Sequence, residues 1–117
     1  MPELDPTLPP ETRALADRFR RFLRETVPEA EERLYKGGRG AGYRTRACGT
    51  FCGLFLRDDG AYLVFTRGAD LPDPHGLLHG EGPGVRYVSV RPGRPFPEEA
   101  LFPLVVAALL VGADPRP

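Results

Sequence analysis

The sequence predicts an α+β two-layer sandwich, with an N-terminal and a C-terminal helix packed on one face of an antiparallel sheet. Three observations predict it. An apolar stripe of helical period lies near the start, and strand-like stretches separated by glycine-rich turns fill the middle. A strongly apolar segment opening with a proline and two acids lies near the end. The 117 residues hold one domain. Residues 1–10 read as a proline-rich arm, disordered or laid on the surface, 11–113 as the domain and 114–117 as a tail.

The first helix opens at Glu11 and Thr12, and Leu15, Phe19, Phe22, Leu23 and Val27 fall on one of its faces. Arg13, Asp17, Arg18, Arg20, Arg21, Arg24 and Glu25 occupy the other face. Pro28 cannot continue this helix but suits the first turn of another, so residues 29–36 are expected to form a short second helix entered through a kink. Gly37–Gly42 reads as a flexible breaker, after which the period becomes that of strands. Residues 43–47 make a weak strand, 50–57 a good one, and 61–67 a third reached through the hairpin chemistry of Asp58-Asp59-Gly60. The last two strands are apolar on both parities, which predicts central places in the sheet. A loop rich in Gly, Asp and Pro follows from Gly68 to Gly84, interrupted by Gly76-Leu77-Leu78. Residues 85–91 then form a strand with Val88 and Val90 on one face.

The final helix begins near Pro97-Glu98-Glu99, and Pro103 is expected to kink or restart it. Leu104–Val111 is apolar on every side. One face of a small sheet covers only half of such a helix, so part of it is expected to meet a second subunit and form a homodimer. Burial between the first helix and the sheet is the alternative.

Composition narrows the function classes. Sixteen Lys plus Arg balance sixteen Asp plus Glu, which argues against nucleic acid or an acidic membrane surface as partner. No apolar run approaches the roughly 18 residues of a membrane span. The first ten residues lack the basic start and apolar stretch of a signal peptide. Two cysteines suit a reducing compartment, and a cytoplasmic location is expected.

Several constellations invite a chemical reading. Cys48 and Cys52 with His75 and His79 imitate a zinc ligand set, but on one strand the two cysteines would stand about 13 Å apart, too far to share an ion. Ordinary sheet cysteines are the simpler reading. Asp70, Asp73, His75, His79 and Glu81 crowd one loop and offer imidazole and carboxylate to a divalent ion; His75, His79 and Glu81 are the best candidates. Their bland counterpart is a solvated polar loop. Glu25, Glu29, Glu31 and Glu32 form the only acidic helical cluster, and interleaved Arg24 and Arg33 make it a balanced solvated face. Arg39, Arg44 and Arg46, with Tyr43 as a stacking ring, imitate an RNA contact that the zero net charge opposes. Arg86 shares the parity of Val88 and Val90, so its stem is expected on the covered face with Asp73 as carboxylate partner. Gly80–Gly84 lacks the ending of a phosphate loop and precedes a strand. No Ser-His-Asp or Cys-His arrangement is legible.

The segment FTRGADLPDPHGLLHGEGPGVRYVSV from Phe65 resembles the YdhG-like family, through Phe65, Gly68, Leu71, Asp73, Pro74, Gly76, Leu77, Leu78, Gly80, Gly82 and Arg86. Pro28, Glu32 and Tyr35-Lys36-Gly37 fit the same pattern, and the likeness spans residues 12–112. Two places depart from it. A longer glycine run stands at Lys36–Gly42, and Pro83-Gly84 replaces a common lysine. The resemblance implies a frataxin-like α-β-α fold. Together with the all-apolar final helix and the lack of a legible catalytic constellation, the loop motif leads to the expectation of a non-enzymatic binding or interaction module without a bound cofactor. Its alternative implication is a metal-handling iron chaperone that holds iron weakly. Neither reading names a small-molecule ligand.

Overall fold

The computed structural model describes residues 3–113, so Met1, Pro2 and the 114–117 tail lie outside the described residues. Helix α1 spans Pro10–Thr26 and α2 spans Glu98–Gly112. Between them run five strands: β1 Glu31–Leu34, β2 Gly40–Thr45, β3 Gly49–Arg57, β4 Gly60–Phe65 and β5 Arg86–Val90. They pair in chain order, each antiparallel to the next, and both helices lie against β3 or β4 on the same side. The predicted α+β two-layer sandwich is what the chain forms.

The core lies between the helices and one sheet face. Cys52, Leu54 and Leu56 of β3, Ala61, Leu63 and Phe65 of β4, and Val88 and Val90 of β5 are buried there. They meet Ala16, Phe19, Phe22 and Leu23 of α1 and Leu101, Leu104, Val105 and Ala108 of α2. A register shift between Tyr43 and Arg44 places Phe51 opposite no single partner, and consecutive Phe51 and Cys52 are both buried. The Phe96 ring closes the seam between the helices, edge-on to Phe19 at 4.9 Å, with the Arg18 guanidinium 4.4 Å from its centroid.

Residues 29–36 do not form a helix. Glu31–Leu34 is instead an edge strand paired with β2, because Glu32 and Leu34 alternate toward the core side while Glu31 and Arg33 stay in water. The acids expected to share a helix are divided, with Glu25 in α1 and Glu31 and Glu32 in β1. The arm is also more than a surface coil. Leu8 is buried in the core, Asp5 N–H donates to Gly38 O at 2.9 Å, and the Asp5 carboxylate pairs with Arg39 at 3.0 Å. The helix begins at Pro10, one residue earlier than expected, where proline's missing N–H costs nothing. Pro103 sits inside one continuous α2, so the helix does not restart there.

The glycine run is not a simple breaker. Gly37 and Gly38 make the turn with φ of +93° and +75°, but Gly40 and Gly42 belong to β2. A Cβ on Gly40 would strike Leu54 O and approach Tyr35 Cδ2 at 2.9 Å, and one on Gly53 would meet Tyr35 Oη at 2.8 Å. The Tyr35 ring lies on a floor that has no side chains. Gly40→Ala should therefore cost about 1–3 kcal/mol by overpacking. Gly84→Ala, facing open space at ordinary φ, should leave urea denaturation unchanged.

Candidate functional site

Strands covered on one side only leave their other face to water, and this face of the sheet is aromatic. Gly40, Phe55, Tyr62 and Ser89 are cross-strand neighbours in one row; Gly42, Gly53, Val64 and Tyr87 form the next. Tyr35 lies 5.3 Å from Phe55 between ring centroids, and Tyr62 lies 6.0 Å from Tyr87 at 61°. Phe55 remains 41% exposed. Phe55, Tyr62, Val64 and Tyr87 floor an open trench of about 830 Å³, with Arg39, Arg57, Asp58 and Asp59 at its end. Neither α1 nor α2 covers this surface.

The charged end is partly self-paired. Arg39 is shared between Asp5 at 3.0 Å and Asp58 at 3.8 Å. Tyr62 Oη donates toward the Asp59 carboxylate at 3.2 Å. The Arg57 guanidinium lies 5.6 Å from the Tyr62 centroid and has no ion pair among the described residues.

The 68–86 loop, where most of the candidate residues lie, is built as structure. Both Asp73 oxygens accept backbone N–H bonds, from Leu77 and Leu78 at 2.9 Å each. The expected Asp73–Arg86 pair does not form, because the Asp73 carboxylate is engaged by the loop's own amides. Arg86 donates instead to Val85 O at 2.9 Å and Gly82 O at 2.8 Å. Gly68 packs on the Arg86 backbone, where a Cβ would collide, and Leu71 is buried. His79 exchanges two backbone hydrogen bonds with Tyr87, and the loop thereby lines the outer edge of β5. Pro74, Gly76 and Gly80 complete the turns, with φ of +65° at Gly76 and +124° at Gly80.

The metal constellations are not assembled. Among the described residues no three His, Cys, Asp or Glu side chains gather around a point that could hold an ion. Cys52 is sealed in the core, where burial pushes its thiol up and keeps it protonated. Cys48 occupies the turn before β3 and donates to Leu109 O at 3.2 Å. His75, His79 and Glu81 lie in the loop, with His79 stacked 5.7 Å from Tyr87. The RNA constellation loses its ring, since Tyr43 faces the core at 3% exposure.

Tyr43 serves a half-buried polar cluster. Its hydroxyl donates to Glu32 Oε2 at 2.6 Å, and Arg20 donates to both Glu32 oxygens at 3.0 and 2.8 Å. Burial, followed by the bond to Glu32, pushes the Tyr43 phenol up. Burial alone would raise the Glu32 carboxyl, but the bonds from Arg20 and Tyr43 and the guanidinium charge hold it below the usual carboxylate range. Ionised Glu32 thus ties α1 to edge strand β1.

The sequence reading missed both the aromatic face and this cluster. The signal for the first was present in strands apolar on both parities, read as central places in the sheet. The stabilising term from Glu32 is fully present above its unfolded pKa and is lost as pH falls through its lower folded value. Glu32→Gln should lower stability at neutral pH and flatten the acid limb of a pH–denaturation profile. Comparison of the chain with protein-family models, curated proteins and solved structures finds no match.

Proposed function

We propose that this chain is a non-enzymatic, cytoplasmic interaction module of YdhG-like type, acting as a homodimer through the outer face of α2. One observation carries the reading. Phe102, Val106 and Leu110 repeat at four-residue spacing along α2 and point away from the core, with Phe102 at 52% and Leu110 at 72% exposure. Within the expected Leu104–Val111 interface, Leu104, Val105 and Ala108 are consumed by the fold. The interface therefore uses the opposite stripe and begins earlier, at Phe102.

Large apolar side chains in a row are uncommon on a monomer, and an isologous two-fold contact covers the same stripe on both copies. The YdhG-like assignment is supported by the two helices on one face of a five-strand antiparallel sheet and by the Phe65–Arg86 motif. No helix among the described residues is long and apolar enough to cross a membrane, in keeping with a cytoplasmic place. The iron-handling alternative has no gathered ligand set among the described residues to favour it.

Sedimentation analysis tests the dimer. The wild-type chain should sediment as a dimer, and Val106→Glu with Leu110→Glu should give a monomer with unchanged circular dichroism. A wild-type monomer at every concentration, or a dimer indifferent to both changes, would end the proposal.

A further inference from the structure

We propose that the outer stripe of α2 docks on a second copy of this chain in antiparallel register. Leu110 of one copy then seats beside Phe102 of the other, and the acids around Phe102 receive Arg46. The register rests on the dimer read from this stripe, and it follows from the different chemistry of the two ends of the helix.

At the start of α2, Phe22 and Phe102 wall a notch of about 410 Å³ between the helices. Its charged lining is acidic, with Glu25 from α1, Glu98 and Glu99 from α2, and no base. Arg18 pairs with Glu98 at 3.1 Å from outside the notch. Glu25 and Glu99 have no ion pair among the described residues. Two uncompensated carboxylates therefore border the exposed Phe102 ring.

The other end of the stripe is basic. The turn before β3 lies against it: Cys48 donates to Leu109 O at 3.2 Å, and a Cβ on Gly112 would meet Cys48 Cβ at 3.0 Å. Arg46 stands in that same turn, exposed and without an ion pair among the described residues. Arg67 is already engaged, by Asp70 at 3.3 Å and by Val111 O at 2.7 Å. Its bond to Val111 keeps the helix end from presenting that carbonyl to approaching acids. One unspent positive charge marks this end.

A two-fold contact can lay the stripe on its copy in two ways. With the helices parallel, each residue meets its own counterpart, so Glu99 faces Glu99 and Arg46 faces Arg46. Like charges then oppose one another at both ends. With the helices antiparallel about Val106, Phe102 meets Leu110 across a stripe roughly 12 Å long. The level of Glu99 then falls at the far end of the partner helix, where Arg46 stands. Symmetry makes this match twice, and only this register covers the stripe without opposing like charges.

Sedimentation equilibrium of a charge-exchange series tests the register. Glu99→Arg alone and Arg46→Glu alone should each raise the dimer Kd about tenfold, because a two-fold contact loses the pair twice. The double variant should return the Kd towards the wild-type value. In the parallel register each exchange merely replaces one like pair by another. A second measurement leaves both charges in place. On a Cys48→Ser background, oxidising a mixture of Phe102→Cys and Leu110→Cys chains should give the mixed disulfide in excess over either like pair. A wild-type monomer would remove the dimer, and the register with it. A wild-type dimer whose double variant recovers nothing, or in which the like disulfides dominate, would overturn the register and leave the dimer standing.

Discussion

Two helices cover one side of five strands, and every other feature of this molecule answers to that imbalance. Burying Leu54, Leu63, Phe65 and Val88 against Phe19, Leu23, Leu101 and Val105 gives the driving force. It also leaves half of the sheet's side chains with no layer above them. The chain meets the second problem locally. Tyr35 lies over glycines, Phe55 leans on Tyr35, and Tyr87 on Tyr62, so the rings shelter one another where no helix does.

The same constraint explains the polar contacts. Edge strand β1 contributes mainly Leu34 to the core, and it is joined to α1 by the Arg20–Glu32–Tyr43 cluster. At the opposite edge β5 would expose its backbone. The 68–86 loop returns to occupy that edge, with Asp73 holding its turn and His79 bonded to Tyr87. Residues that looked chemical in the sequence are largely spent on these tasks.

Much of the architecture was legible because it follows from period. The stripe Phe19, Phe22, Leu23 and the Asp58-Asp59-Gly60 hairpin are local signals, and both appear where the pattern puts them. Residues 29–36 were misread because Glu-rich sequence after proline favours a helix locally, while pairing with β2 is a tertiary gain invisible at that range. Arg86 and Asp73 were matched by charge, yet nearby amides and carbonyls satisfied each more cheaply. Apolar residues on both parities of β3 and β4 reported correctly that both faces are apolar. Period cannot say whether a face is covered.

The last turn of α2 has an unusual attachment. Its carbonyls are met by Arg67, which donates to Val111 O at 2.7 Å, and by the Cys48 thiol on Leu109 O. Both donors come from turns at the ends of strands, Cys48 before β3 and Arg67 after β4, far away in the chain. The end of this helix is therefore a property of the assembled sheet, and a peptide of the same residues alone would unwind there. Any oxidant that converted the Cys48 thiol would loosen a helix terminus without touching the helix itself.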